Sequence, residues 1–243
     1  MSADFTLHEV CVVACAEAWR GDGEILASPI GILPSVAARL AKATFARDLL
    51  MTDGVASLVS GGVVEGWMPY RTVFDTVWSG RRHVMMGASQ IDRYGNQNIS
   101  CIGDHARPKA QLVGMRGAPG NTIHHPTSYW IPGHSTRVFV PKVDVVCGVG
   151  YDRAAALGRS GRFHELCRVV TNLAVLDFGG PEHAMRLVSC HPGVSAGDVV
   201  RATGFPLVVP DHVETTRTPT AEELRLLREV IDPGGTAAKE LAR

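Results

Sequence analysis

Apolar positions recur at helical spacing at the start of the chain and then fall into short continuous runs. Thr6 and Glu9 form a capping box, and the apolar residues after them predict a helix. The run Glu24–Ser28 predicts a buried strand, a second helix begins near Pro34, and Asp48–Thr52 predicts another strand. Because parallel strands need a helical crossover, this alternation predicts an α/β fold with a largely parallel sheet sandwiched by helices.

The remainder of the chain is richer in strands. Strands are predicted at 83–89, 111–115, 137–140, 144–148, 169–178, 185–190 and 207–209, and helices at 70–78, 196–203 and 222–231. The last helix follows a second capping box, Thr220–Glu223. The Gly/Pro/His-rich run from Arg116 to Ser135 carries the least signal for regular structure. At 243 residues, we expect residues 1–243 to form a single domain.

Composition narrows the class of protein. The 24 basic and 24 acidic side chains balance, so the positive field that gathers a nucleic acid is missing. No apolar run is long enough to span a bilayer, and the first residues lack the basic start of a signal peptide. The six cysteines have no paired spacing and are expected to be small core residues in a reducing compartment. We therefore expect a cytoplasmic protein that binds neither nucleic acid nor membrane.

The turns after the two early strands are the first candidates for chemistry, since ligands of open α/β sheets bind at strand ends. Gly31, in the turn Ser28–Gly31, and Gly54 allow a ligand or a neighbouring backbone to come close. Asp53 is interpretable as a general base, a nucleophile or a turn former.

A predicted hairpin from Gly87 to Asn98 carries a cluster of amide side chains. The strand turns tightly at Asp92–Gly95 and returns through polar residues. Gln90 and Asn96 could bind the edges of a small polar ligand, or they could tie the turn to itself.

The glycine-rich run Gly114–Asn121 is a third candidate. Backbone N–H groups of small residues such as Gly117 and Ala118 can converge on one oxygen and stabilise a thioester or ketone oxyanion. The same run ends at Asn121, whose amide is a candidate substrate contact.

Other patterns argue against common chemistries. Gly148 and Gly150 follow a predicted strand, but Arg153 stands where a dinucleotide fingerprint needs its third glycine. No helical His-x-x-x-His or thiolate accompanies the loop histidines, so no metal site is predicted. These histidines are His124, His125 and His134. There is no Gly-x-Ser-x-Gly elbow for a serine nucleophile.

Taken together, the order of these motifs resembles the β subunit of class I coenzyme A transferases over nearly the whole chain. The segments that carry the resemblance are Ser28–Gly31, Met51–Gly54, Gly87–Asn98, Gly114–Asn121, Val170–Leu176 and Pro219–Leu224. The Gln-Ile-Asp-x-x-Gly-Asn hairpin is the most specific. The resemblance implies an α/β sheet covered by helices and an active site shared with a similar α subunit, in αβ pairs that join as α2β2.

True transferases of this family carry a glutamate nucleophile before an Asn-Gly pair. Here Thr52 stands at the glutamate position and Asp53 at the asparagine position, so the nucleophile is missing; Arg116 also breaks the glycine loop. These departures resemble the branch of the family that opens the last steroid ring in cholesterol catabolism by retro-Claisen-like hydrolysis of a cyclic β-keto acyl-coenzyme A. That resemblance implies a catalytic glutamate on the α subunit, no cofactor, and coenzyme A only as part of the substrate.

Two other functions remain open, an acyl-coenzyme A transferase β subunit and a scaffold subunit without substrate contacts. The possible catalytic residues are Asp53 and Gln90, and no metal ligand is predicted. The candidate substrate-binding residues are Gly31, Gly54, Asn96, Gly117, Ala118 and Asn121. Arg71, Arg81 and Arg82 are candidates for the coenzyme A phosphates, although exposed arginines are usually solvated.

Overall fold

The computed structural model describes residues 4–52, 57–60, 63–67 and 81–241. The chain divides into two compact units. The first unit combines residues 1–86 with residues 217–243, and the second unit is residues 87–216. Each unit contains strands and helices, which confirms the α/β class. The expectation of a single domain over residues 1–243 stays a prediction.

Five described strands of the first unit lie side by side. Their order is Arg82–Met86, Leu26–Pro29, Leu50–Thr52, Ser57–Ser60 and Val63–Trp67. The first three strands run parallel to one another, and the last two pair antiparallel. The two predicted early strands are therefore confirmed, starting two residues later than predicted. The first unit has mixed strand directions because its last strands are joined by short connections, which allow only antiparallel pairing.

Two long helices of the first unit supply much of its core. The helix Leu7–Ala16 starts at the predicted capping box, and all its residues from Glu9 onward are buried. The helix Ile32–Thr44 starts two residues before the predicted position, with Gly31 as its N-cap. Near the C-terminus, the helix Ala221–Arg225 follows the second capping box and continues as a π-helical segment, Leu226–Ile231. A final short helix spans Ala238–Leu241.

The second unit has its own row of five strands. Their order is Pro126–Ile131, Glu165–Thr171, Ala174–Asp177, Arg186–Cys190 and Glu214–Thr215. The two outer pairs are parallel and the two inner pairs are antiparallel. Two small ladders accompany this row, Gln90–Ile91 with Gln97–Asn98 and Cys101–Ile102 with Ala110–Gln111. Strand directions are therefore mixed in both units, where the sequence predicted a largely parallel sheet.

The Gly/Pro/His-rich run of the second unit is more regular than predicted. It contains the helix Ala118–His124 and the strand Pro126–Ile131. The glycines and proline hide the helix from a propensity argument, although Pro119 lies in its first turn, where proline is tolerated. The other α-helices described in this unit are Tyr151–Ala154 and Ala196–Ala202, and the second of these agrees with the prediction. Two 3-10 helices span Ala155–Gly161 and Pro181–His183.

Several predicted strands of the second unit are wrong. Residues 137–140 and 144–148 form no strand, only isolated bridges at Phe139 and Gly148, and 207–209 forms a single bridge at Val208. Their apolar residues, such as Phe139 and Cys147, are buried as coil rather than as strand. The predicted helix at 70–78 lies outside the described residues.

All six cysteines are free thiols, as expected. Five are buried and Cys167 is partly exposed. Burial raises the pKa of the Cys11 thiol to about 12, so this thiol stays neutral and behaves as a small apolar side chain. Among the described residues, no helix is long and apolar enough to cross a bilayer.

Candidate active site

The turn after the first strand connects the sheet of the first unit to its second helix. Gly31 is the N-cap of the helix Ile32–Thr44 and adopts φ +127°, a conformation that favours glycine. The carboxylate of Glu240, more than 200 residues away, accepts hydrogen bonds from the N–H groups of Ile32 (2.7 Å) and Leu33 (3.2 Å). The first two N–H groups of this helix are thus satisfied by the C-terminal segment.

Two hydroxyl groups and a guanidinium meet on the three parallel strands of the first unit. The Ser28 Oγ lies 3.4 Å from the Thr52 Oγ1, and an Nη of Arg82 donates to the Ser28 Oγ at 2.9 Å. All three side chains are buried. The residue at the position of the transferase glutamate, according to the resemblance, is therefore a buried threonine in a hydroxyl cluster.

Some predicted site residues of the first unit cannot be placed in this cluster. Asp53, Gly54 and Arg71 lie outside the described residues. Arg81 is exposed, while Arg82 is buried beside Ser28.

In the second unit, the hairpin amides bind one another and their surroundings. The Gln90 Oε1 accepts from the Asn98 Nδ2 at 2.7 Å and from the backbone N–H of Asp144 at 3.0 Å. Its Nε2 donates to the Asp144 Oδ2 at 3.0 Å. Gln90 is buried, so both ends of its amide are used inside the chain. The bond to Asn98 matches the interpretation in which the amides tie the turn to itself, whereas the bonds to Asp144 join the hairpin to a segment more than 40 residues further along the chain.

Asn96 is bound even more completely. Its Nδ2 donates to the Asp92 Oδ2 (2.9 Å) and to the Asp152 Oδ1 (2.8 Å), and its Oδ1 accepts from the Gly150 N–H (2.9 Å). Burial, together with the charge of Asp152, raises the pKa of Asp92, although hydrogen bonds from Asn96 and Tyr94 oppose the shift. Asn96 is 1% exposed, which leaves its side chain little surface for a ligand. Its contact with substrate stays a prediction.

Two glycines explain why the segment after Cys147 approaches the hairpin so closely. A Cβ on Gly150 would lie 2.6 Å from both the Asn96 N and the Tyr94 O. A Cβ on Gly148 would lie 2.9 Å from the Gln97 Oε1 and 3.0 Å from a methyl carbon of Thr122. These glycines therefore serve close packing between the hairpin and the helix Ala118–His124, consistent with the absence of a dinucleotide fingerprint.

The glycine-rich run folds into a turn that leads into this short helix. Gly114 and Arg116 adopt positive φ, and the Ala118 N–H donates to the Met115 carbonyl at 3.1 Å. The Asn121 N–H donates to the Gly117 carbonyl at 2.9 Å, and Asn121 is buried. The Ala118 N–H is thus already engaged, and the roles of Gly117, Ala118 and Asn121 toward substrate stay predictions.

The loop histidines do not share one site. His134 is buried against Phe139, with its ring nitrogens 3.1 Å from the Thr171 Oγ1 and 3.0 Å from the Thr203 Oγ1. Burial lowers its pKa to about 4. His124 is exposed and His125 is buried. Within the residues that the structure describes, no group of three or more His, Cys, Asp or Glu side chains is arranged to hold a metal ion.

Sequence reasoning missed three carboxylates that shape the candidate regions. Asp144 binds Gln90, Asp152 binds Asn96, and Glu240 caps the helix after Gly31. Asp152 stands two residues after Gly150, and Asp144 lies in a segment predicted as a strand, so a local pattern identifies neither. The contact of Glu240 spans almost the whole chain and leaves no local signal.

Comparison with known proteins identifies the family to which this chain belongs. Residues 73–202 match the family model described as Coenzyme A transferase. Together with the relatives below, this match shows that the chain belongs to the coenzyme A transferase family.

Among its relatives, the cholesterol ring-cleaving hydrolase IpdB subunit of Mycobacterium tuberculosis is 53% identical, covering 97% of this chain and 98% of the relative. A crystal structure of Rhodococcus jostii IpdAB superimposes with a TM-score of 0.93 at 52% identity, covering 98% and 99% of the two chains. Glutaconate coenzyme A-transferase from Acidaminococcus fermentans superimposes with a TM-score of 0.82 at 26% identity, covering 96% and 97%.

Proposed function

We propose that this chain is the β subunit of an αβ hydrolase that opens the last steroid ring in cholesterol catabolism. The observation that carries the proposal is the 53% identity, over 97% of the chain, to a subunit named as a cholesterol ring-cleaving hydrolase. The buried Thr52 supports it, because a threonine hydroxyl cannot replace the glutamate with which transferases form their covalent thioester.

The proposed substrate is a cyclic β-keto acyl-coenzyme A. Water adds to the ring ketone, and the bond between that carbon and the α-carbon of the thioester breaks. The thioester carbonyl takes up the electron pair as an enolate, which is then protonated, and the former ketone carbon becomes a carboxylate. The reaction needs a positioned base and an oxyanion site but no redox cofactor. Coenzyme A enters only as part of the substrate.

The division of labour between the subunits is also part of the proposal. A glutamate of the partner subunit, implied by the family resemblance, would act as the general base. This chain would complete the pocket, with the turn at Ile30 and Gly31 as its candidate contact. We further propose an α2β2 assembly. The six free thiols fit a reducing compartment and support a cytoplasmic location.

The test is co-expression with an α-type partner of the same family, followed by an assay on a cyclic β-keto acyl-coenzyme A in H2¹⁸O. We expect ring opening without an acceptor acid and one ¹⁸O atom in the new carboxylate. The chain without its partner should be inactive. Turnover that needs an acceptor such as succinate, with a coenzyme A adduct on the protein by mass spectrometry, would instead identify an acyl-coenzyme A transferase.

A scaffold role is the second candidate, and one observation favours it. The side-chain amides of Gln90 and Asn96 are bound within the chain, so these two amides need no ligand to be satisfied. Single substitutions of Gly117, Gln90 and Asp53 separate the two functions. Unchanged kcat and KM for all three in a correctly assembled complex would support the scaffold.

A further inference from the structure

Two ion pairs join the C-terminal segment, from Arg217 onward, to the N-terminal part of the first unit. Arg217 binds Glu17, and Arg228 binds the buried Glu9 at 2.7 Å; within the segment, Arg217 also binds Glu223. Glu9 is 4% exposed, and the Arg228 hydrogen bond lowers its pKa against the opposing effect of burial. Removal of Arg228 would leave the buried Glu9 carboxylate without its countercharge, which is costly.

Beyond these pairs, a tight turn directs the last helix toward the first strand. The Asp232 carboxylate accepts from the Thr236 N–H at 2.8 Å, from the Thr236 hydroxyl at 2.6 Å, and from the Ala237 N–H at 2.8 Å. The helix Ala238–Leu241 follows at once and places Glu240 at the N-terminus of the helix Ile32–Thr44.

This contact replaces a cap that the local sequence does not supply. The N-cap residue, Gly31, has no side chain, whereas most helices use a Ser, Thr, Asp or Asn at this position. Glu240 accepts from the first two N–H groups of the helix, one with each carboxylate oxygen, and its charge suits the positive end of the helix. The Glu240 Oε1 also lies 3.3 Å from where a Gly31 Cβ would be, so a side chain at this position would meet the carboxylate.

The capped turn lies where a ligand is expected. Gly31 follows the carboxyl end of a strand that runs parallel to both of its neighbours, the position at which open α/β sheets bind ligands. A change in the turn would thus change substrate contacts even when the rest of the first unit is intact.

We infer that Glu240 is a positioning residue: its carboxylate holds the turn at Ile30 and Gly31 in the conformation that contacts the substrate. This inference rests on the proposed function for the identity of the substrate. It assigns to the C-terminal segment a part in substrate binding, in which Glu240 acts through the helix N-terminus and the turn.

The experiment compares Glu240→Ala, Glu240→Gln and the control Glu222→Ala in the purified αβ complex. Glu222 lies on the same segment but is exposed and pairs only with Arg225 among its described ion-pair partners. Loss of a helix cap is typically equivalent to about a 5- to 10-fold change in an equilibrium, so KM for the cyclic β-keto acyl-coenzyme A should rise by about that factor in Glu240→Ala. Glu240→Gln keeps one acceptor oxygen and should give a smaller rise, and Glu222→Ala none.

KM is the decisive readout because it does not depend on how much of the complex folds. A merely structural role for Glu240 would lower the yield or the apparent kcat and leave KM unchanged, and that result would overturn the inference. Since Glu240 acts through the turn, its removal in a Gly31→Ala background should raise KM by less than in the wild type. An equal rise in KM in the wild-type and Gly31→Ala backgrounds would also contradict the inference.

Failure of the proposed function gives a different result from failure of the inference about Glu240. If the wild-type complex transfers coenzyme A instead of opening the ring, KM of the transfer reaction serves the same comparison. If the wild type catalyses neither reaction, the Kd of coenzyme A measured by calorimetry replaces KM, and an equal Kd for wild type and Glu240→Ala overturns the inference.

Discussion

The hairpin Gly87–Asn98 and the turn at Ile30 and Gly31 are both candidate ligand sites, but they are held in different ways. In the hairpin, the buried amide of Asn96 is bound by Asp92, Asp152 and Gly150, all of the same unit. The turn leads into a helix whose first two N–H groups are bound by a distant carboxylate, that of Glu240, and the Ile30 N–H donates to the Met85 carbonyl. A buried hydrogen-bond network stabilises the fold, so its substitution should appear as lost stability. A turn that depends in part on one distant contact can change binding while the fold persists.

The largest effect is expected for Asn96→Ala, which tests whether the hairpin network stabilises the fold. The substitution removes three side-chain hydrogen bonds and leaves the Asp92 and Asp152 carboxylates without the donor between them, which should lower the free energy of unfolding by about 3–5 kcal/mol. Urea unfolding followed by tryptophan fluorescence measures the loss.

The matched control for Asn96→Ala is Gln111→Ala. The exposed Gln111 amide donates to the Ser100 carbonyl, and its loss should cost no more than about 0.5 kcal/mol. Similar losses for the two variants would show that the hairpin network contributes nothing special to stability.

The second prediction uses a histidine of the second unit. Burial lowers the pKa of His134 to about 4, so below pH 6.5 the unfolded chain binds a proton that the folded protein does not. Stability should therefore fall as the pH is lowered from 6.5 to 4, and His134 contributes up to about 3 kcal/mol of that loss. The midpoint of urea unfolding across this pH range measures it.

In His134→Gln the pH dependence between 6.5 and 4 should become shallower. His164 and His191, whose pKa values burial also lowers, should leave a smaller slope of the same sign. The exposed His105, changed to Gln, serves as the control and should leave the slope unchanged. An unaltered slope in His134→Gln would contradict the prediction.

The third and smallest effect is expected for Gly150→Ala. The new methyl group would meet the Asn96 N and the Tyr94 O at 2.6 Å, and the backbone shift needed to relieve this should cost about 2 kcal/mol. Thermal unfolding of the purified protein measures it. Gly133→Ala, whose Cβ would meet nothing within 4 Å, should leave the midpoint within error; a drop as large as that of Gly150→Ala would refute the packing argument.

The sequence predicts the local features of this fold well. Both capping boxes, at Thr6 and Thr220, begin helices as expected, because the residues that form them are three positions apart. The predictions fail where burial comes from distant partners. Phe139 is buried as coil against His134 and Phe205. The short apolar run around it in the sequence is also typical of a buried strand, which explains the wrong prediction.

The site is less predictable than the fold. The sequence identifies the amide hairpin and offers two interpretations, but only coordinates show that Asp144 and Asp152 occupy the amides. Likewise, Gly31 is identifiable as a turn residue, whereas its partner Glu240 is 209 positions along the chain and no periodicity connects them. Positions of carboxylates far along the chain are set by tertiary packing, which a local pattern does not encode.

The discontinuous composition of the first unit has a consequence for biosynthesis. A ribosome releases residues 87–216 as one uninterrupted stretch, so the second unit can mature while translation continues. The first unit is completed later, because the arginines that bind Glu17 and Glu9 and the carboxylate that caps the Ile32–Thr44 helix are all translated after residues 87–216. Its N-terminal portion therefore lacks these contacts until residues 217–240 have been synthesised.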